Sequence, residues 1–176
     1  MLTISREVKI KAGRHAWNVY PLEAFGFLLG RESESTVYAA LPCSKTRRWH
    51  EFDDRWTGIE ENIEKARSVA KLFGMEVVGL YASSEAFSSD EHNHFPISPL
   101  LENTDMELFM LYSTICCPGH SWASFKYGNR WLKYDEDYFF PRGRRVSDSI
   151  SQKRILKEWH RVYGAVDYSN QPEHDE

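Results

Sequence analysis

The chain has 176 residues, of which 41% are apolar and 14% aromatic, so it is long enough for one domain around a single hydrophobic core. Its net charge of −4, from 22 basic and 26 acidic residues mixed along the sequence, gives no general basic field, and nucleic acid is not an expected partner. No run of about 18 apolar residues occurs, charges begin within MLTISREVKI, and the cysteines number three, so we expect a cytoplasmic protein with no membrane segment, signal peptide or disulfide framework.

The first part of the chain predicts a helix followed by a β-hairpin. Ser5 is a suitable N-cap, and the helix extends to about Tyr20 because apolar residues recur every three or four positions, at Ile4, Val8, Ala12, Ala16 and Val19. The apolar run AFGFLLG, the polar turn RESE and the run STVYAALP then indicate two buried strands.

A second helix and a central strand are predicted next. The helix is marked by one apolar face, formed by Ile59, Ile63, Ala66, Ala70 and Phe73, and Gly74 is its natural C-terminal stop. The following segment, MEVVGLY at positions 75–81, is almost entirely apolar, so we expect a strand covered on both faces.

The remaining sequence predicts a long polar loop, more strands and a final helix. The loop spans residues 83–105, and MELFMLYSTI, SWASFKY and RWLKY are typical of strands, which makes a sheet of five or six. Helical spacing returns near the carboxyl end, at Ile150, Ile155, Leu156, Trp159 and Val162. The predicted class is α/β (α+β), a mixed sheet flanked by helices over residues 1–143 with a C-terminal helix and polar tail over 144–176.

Two segments carry a resemblance to a known family. HAWNVYPLEAFGFLLG, at positions 15–30, and EVVGLY, at 76–81, resemble the JAB/MPN family of zinc isopeptidases over roughly Leu2 to Tyr134. The resemblance implies a cytidine-deaminase-like mixed sheet. It also implies a zinc ion held by the two histidines of an HSHP segment and by an aspartate, with a bound water that a glutamate deprotonates for attack on an isopeptide carbonyl. Glu23 matches that glutamate.

The metal-binding part of the family pattern is not present. Where the family has YHSHP this chain has Tyr81, Ala82, Ser83, Ser84 and Glu85, so Ala82 and Ser84 occupy the histidine positions. A methyl group and a hydroxyl are not useful zinc donors. The leading hypothesis is therefore a JAB/MPN-like domain without cofactor or metallopeptidase activity that binds or scaffolds another protein. The resemblance suggests a ubiquitin-like protein or an MPN-type partner.

Two alternative hypotheses give this site a catalytic activity. His92 and His94 form an H-x-H pair, and Asp105 lies eleven positions after His94, so with Glu23 they would make a displaced zinc site for a peptidase acting on a ubiquitin-like or sulfur-carrier protein. The simpler interpretation of EHNH is a solvated loop. Ser83 or Ser84 beside Glu23 is a further candidate nucleophile, but it lacks the histidine base and oxyanion hole that acyl transfer uses.

An aromatic and charged loop, RRWHEFDDRW, is a candidate contact surface. Trp49 and Trp56 are its candidate binding residues, because aromatic side chains and Arg are enriched at binding hot spots. The same aromatic rings would equally serve to cover the core. A short basic run from Arg142 to Arg145 would suit an acidic partner, although such runs are most often only solvated.

Overall fold

The fold was obtained as a computed structural model, which describes residues 3–19, 24–43, 52–85, 107–114, 117–126, 133–139 and 150–164. Three α-helices occur in these ranges: α1 Arg6–Val19, α2 Phe52–Leu72 and α3 Ile150–Tyr163. The strands are β1 Thr3–Ile4, β2 Phe25–Arg31, β3 Thr36–Pro42, β4 Glu76–Glu85, β5 Glu107–Thr114, β6 Cys117–Lys126 and β7 Lys133–Phe139. None of the described helices combines the length and apolarity needed to cross a bilayer.

The predicted helix boundaries hold where the sequence has a capping residue. The Ser5 hydroxyl accepts a hydrogen bond from the backbone N–H of Val8 at 3.3 Å, so Ser5 caps α1 as expected. Gly74 follows α2 with a φ of +66°, a left-handed conformation that glycine adopts without a Cβ penalty. The Met75 N–H then closes the turn on the carbonyl of Ala70 at 2.9 Å.

The described strands form one mixed sheet in the order β1-β3-β2-β4-β5-β6-β7. Neighbouring strands are antiparallel except for the parallel pairs β1–β3 and β4–β5. The expected count of five or six strands is therefore wrong, because β1 is a two-residue strand too short for a periodic signal. The fold class is confirmed at the level of a mixed α/β protein.

The described helices cover both faces of the sheet. On one face α1 packs against β2, β3 and β4, and the buried side chains of this cluster are Val8, Ile10, Ala12, Leu28, Val37, Ala40, Val78 and Tyr81. On the other face α2 and α3 pack on the same strands, with Phe27, Leu29, Leu41, Leu80, Ala66, Val69, Ile155 and Trp159 at the centre of a larger cluster. Apolar residues therefore run almost unbroken along β2, because neither face of that strand is exposed to water.

Helix α3 is anchored in this core and covers the outer edge of β3. Trp159 is 0% exposed, and its indole Nε1 donates a hydrogen bond to the carbonyl of Pro42 at 2.8 Å. Gln152 Nε2 donates to the carbonyl of Tyr38 at 3.3 Å. Strand β1 pairs with β3 only at Thr36 and Val37, so the helix satisfies carbonyls farther along an edge that would otherwise be open to strand addition.

Candidate functional site

The candidate site lies where β4 runs past the start of β2. Ala82 is the Cα partner of Phe25 on β2 and of Met110 on β5. Beyond Ala82, the pairing of β4 with β5 continues through Glu85. The sequence places the end of the strand at Tyr81, but β4 is four residues longer, since parallel pairing with β5 supplies a partner for this polar segment.

Ala82, Ser83 and Ser84 therefore belong to a regular strand. Their β5 partners are Met110, Leu111 and Tyr112. Strand pairing of this kind fixes the backbone on the β5 side through ladder hydrogen bonds. Positions 82 and 84, where the resemblance expects histidines, are thus held in the sheet.

Directly before these positions, Tyr81 makes a buried contact with helix α1. Its Oη is joined by a hydrogen bond of 2.7 Å to Nδ1 of His15, and the two rings meet edge to face at 81°. Both side chains are buried, with 3% of His15 and 1% of Tyr81 exposed. A tyrosine hydroxyl and an imidazole so far from water need a partner, and each supplies one for the other.

Burial also sets the protonation of His15. Loss of hydration lowers the pKa of the imidazole to about 4, and a hydrogen bond with the backbone of Cys43 opposes the shift. His15 is therefore neutral at physiological pH. The neutral imidazole can form its hydrogen bond with Tyr81 without the cost of a buried charge.

The Tyr81 ring fits against β2 because position 26 is glycine. Gly26 is the Cα partner of Tyr81, and a Cβ at position 26 would lie 2.4 Å from the ring and 2.4 Å from the carbonyl oxygen of Leu41. Neither distance is possible between non-bonded atoms, so any larger residue would displace the ring or the neighbouring strand. Residues from α1, β2 and β4, namely His15, Gly26 and Tyr81, thus form one structural unit, called here the His–Gly–Tyr unit.

Cys43, one residue after β3, is buried beside the same end of the sheet. Its N–H donates to the carbonyl of Phe25 at 3.1 Å, and its side chain is 0% exposed. Burial raises the pKa of the thiol, and a hydrogen bond with the side chain of Tyr163 opposes the rise only in part. The thiol therefore stays protonated at neutral pH and is a core residue, not a nucleophile.

The other predicted site residues divide into two groups. Trp56 lies within α2, which begins at Phe52, so the expectation that it belongs to a surface loop is wrong. The helix begins earlier than its apolar spacing indicates, because its first turns are rich in charged and aromatic residues. The remaining positions lie outside the described residues: Glu23, Trp49, His92, His94, Asp105 and Arg142 to Arg145. In the described ranges, no three His, Cys, Asp or Glu residues are grouped as metal ligands.

Sequence reasoning did not identify the contact between His15 and Tyr81. A local signal exists for one partner: His15 follows Val8 and Ala12 on the apolar stripe of α1, where a polar side chain must be buried and paired. Nothing local points to Tyr81, which is 66 residues away in the sequence.

Comparisons with known proteins give structural likeness only. No family model matches the chain, and no curated protein does. A solution structure of a protein from Salinibacter ruber is similar with a TM-score of 0.48 and 18% identity, over 84% of this chain and 97% of that one. A solution structure of a Desulfitobacterium hafniense protein is similar with a TM-score of 0.37 and 16% identity, over 78% of this chain and 90% of the other. Neither description names an activity or a ligand.

Proposed function

We propose that the chain is a JAB/MPN-like domain without metallopeptidase activity that acts as a protein-binding module. The observation that supports it best is the His–Gly–Tyr unit. His15 and Gly26 belong to the first segment of the resemblance and Tyr81 to the second, and Tyr81 is hydrogen-bonded to His15 and lies close against Gly26. One set of contacts, made by Tyr81, therefore accounts for matching residues in both segments of the resemblance.

The residues at the family's metal positions do not fit a zinc ion. Ala82 offers only a methyl group, and the Ser84 hydroxyl is a poor zinc donor compared with histidine, cysteine or carboxylate. No step of metal-assisted hydrolysis follows from such a pair.

The glutamate that matches the pattern, Glu23, lies outside the described residues. In the sequence it is two residues before Phe25, whose Cα partner on β4 is Ala82. Glu23 is therefore the residue whose replacement tests the peptidase part of the proposal.

The proposal has two parts, the lack of peptidase activity and the binding of a partner protein, and the same protein preparation serves to test both. Peptidase activity is measured, with zinc added, as the release of a fluorophore from a fluorogenic amide at the carboxyl end of ubiquitin. We expect no release above that in buffer. Release that Glu23→Gln abolishes would contradict this part and favour the displaced site at His92, His94 and Asp105. A matched control is His160→Ala, which changes an exposed histidine on α3.

Binding is measured by titrating the isotope-labelled protein with ubiquitin and, separately, with a sulfur-carrier protein. We expect amide signals of Ala82 to Glu85 to shift with at least one of them, because this segment lies at the candidate site. If β4 amides respond to neither protein, the proposed binding surface is wrong.

A further inference from the structure

Helix α3 presents a cationic surface formed by residues that do not pack in the core. The helix turns its apolar residues inward, with Ile155 and Trp159 at most 1% exposed. The basic residues Lys153, Arg154, Lys157 and Arg161 are all exposed and are called here the basic face. At 100° per residue they fall within about a third of the helix circumference. The charges are therefore concentrated on one side.

The basic face is a local feature in an acidic protein. The whole chain has a net charge of −4, so the concentration of cations does not follow from its composition. Glu158 is the only carboxylate in α3, and it pairs with Arg161 through the guanidinium Nε at 2.7 Å. Within the described part of the chain, no ion pair joins a carboxylate to Lys153, Arg154 or Lys157.

Two hydrogen bonds anchor α3 to strand β3. Trp159 donates to the carbonyl of Pro42, and Gln152 donates to the carbonyl of Tyr38. Lys153, Lys157 and Arg161 follow each other at intervals of one helical turn, about 6 Å along the axis. Cations so placed meet a ligand with less loss of backbone entropy than cations on a loop.

We propose that the basic face docks a short carboxylate-rich segment of a partner protein. Charge complementarity supports this occupant, and the length of the face, about 12 Å, suits a few acidic side chains. The exposed residues described in α3 include the His160 imidazole but no Phe, Tyr or Trp ring for stacking on nucleobases and no apolar side chain for insertion into lipid, because the apolar face of α3 packs on the core. This surface is distinct from the end of β4, and the proposal stands whether or not the function proposed above is correct.

Fluorescence anisotropy with a short labelled peptide of alternating Asp and Glu residues tests the proposal. We expect wild-type protein to bind the peptide, with affinity falling as salt rises. The double variant Lys153→Glu/Lys157→Glu should bind about tenfold more weakly or worse, because two attractive contacts become repulsive. The control Lys65→Glu/Lys71→Glu makes the same change of net charge on the exposed side of α2 and should stay within about twofold of wild type.

Three results would overturn the proposal. These are no binding by wild type, equal losses in the two double variants, and tighter binding to anionic lipid vesicles or to single-stranded DNA than to the peptide. Circular dichroism confirms that each variant is folded. Should Lys153→Glu/Lys157→Glu unfold, Lys153→Gln/Lys157→Gln replaces it, with the same direction of effect expected.

Discussion

The hydroxyl of Tyr81 lies 2.7 Å from Nδ1 of His15 in a part of the core that water does not reach. This contact joins the central strand β4 to helix α1, directly before Ala82. The His–Gly–Tyr unit therefore contributes to the stability of the fold, and we expect substitutions of its members to lower the free energy of unfolding.

Tyr81→Phe should lower the free energy of unfolding by about 1–3 kcal/mol, because it leaves a buried imidazole nitrogen without its tyrosine partner. Urea denaturation at pH 7 measures the change. The matched control is Tyr38→Phe, whose hydroxyl bonds Glu34 in an exposed position and should contribute less than about 0.5 kcal/mol. Equal losses in the two variants would show that the buried hydrogen bond contributes no more to stability than the exposed one.

The neutral state of His15 predicts a loss of stability in acid. The folded-state pKa is about 4, below the ordinary value of 6.5, so the unfolded chain binds the proton more tightly between these pH values. Stability attributable to His15 is therefore complete above about pH 6.5 and falls by about 3 kcal/mol as pH decreases to about 4.

Urea midpoints measured across this pH range for wild type and His15→Gln isolate the effect. Wild type should lose stability more steeply than the variant, which has no group to protonate at this position. The two pH profiles running in parallel would contradict a buried neutral histidine.

Gly26→Ala should destabilise the protein by about 1–3 kcal/mol, because its Cβ meets both a backbone carbonyl and the Tyr81 ring and the core must shift. Gly74→Ala is the comparison: its φ is positive, but nothing lies within 4 Å of the added Cβ. That variant should lose only about 1 kcal/mol, from backbone strain. Thermal unfolding of both variants separates side-chain crowding at position 26 from backbone strain at position 74. A larger loss of stability in Gly74→Ala than in Gly26→Ala would show that a Cβ at position 26 is not crowded.

Trp159→Ala should cost about 3–5 kcal/mol, since it removes a fully buried indole and its hydrogen bond to Pro42. Leu72→Ala removes an apolar side chain that is 66% exposed, and should change stability by less than about 0.5 kcal/mol. Chemical denaturation measures both. A small effect at Trp159 would mean that α3 does not belong to the core.

The sequence predicted elements whose signals are local. Capping by Ser5, the stop at Gly74 and the apolar spacing of α3 each depend on neighbours within a few positions, and each is confirmed. Features that depend on distant pairing were missed. The extension of β4 through Glu85 requires β5, and the partner of His15 is far along the chain.

For the candidate site, the sequence identifies residue types but not how the structure holds them. The sequence alone shows that Ala82 and Ser84 stand where the resemblance expects histidine ligands. Both residues lie in a strand paired with β5, and Ala82 is also opposite Phe25 on β2, which follows from the register of these strands. No local pattern encodes that register, because it arises from tertiary pairing.

The central proposal is that the protein holds no zinc centre, and its metal content tests this proposal most directly. Protein purified without chelator, incubated with equimolar zinc and desalted, is analysed by native mass spectrometry beside His92→Ala. We predict that both proteins appear at the mass of the metal-free chain. One zinc ion per chain in wild type, lost in His92→Ala, would contradict the account.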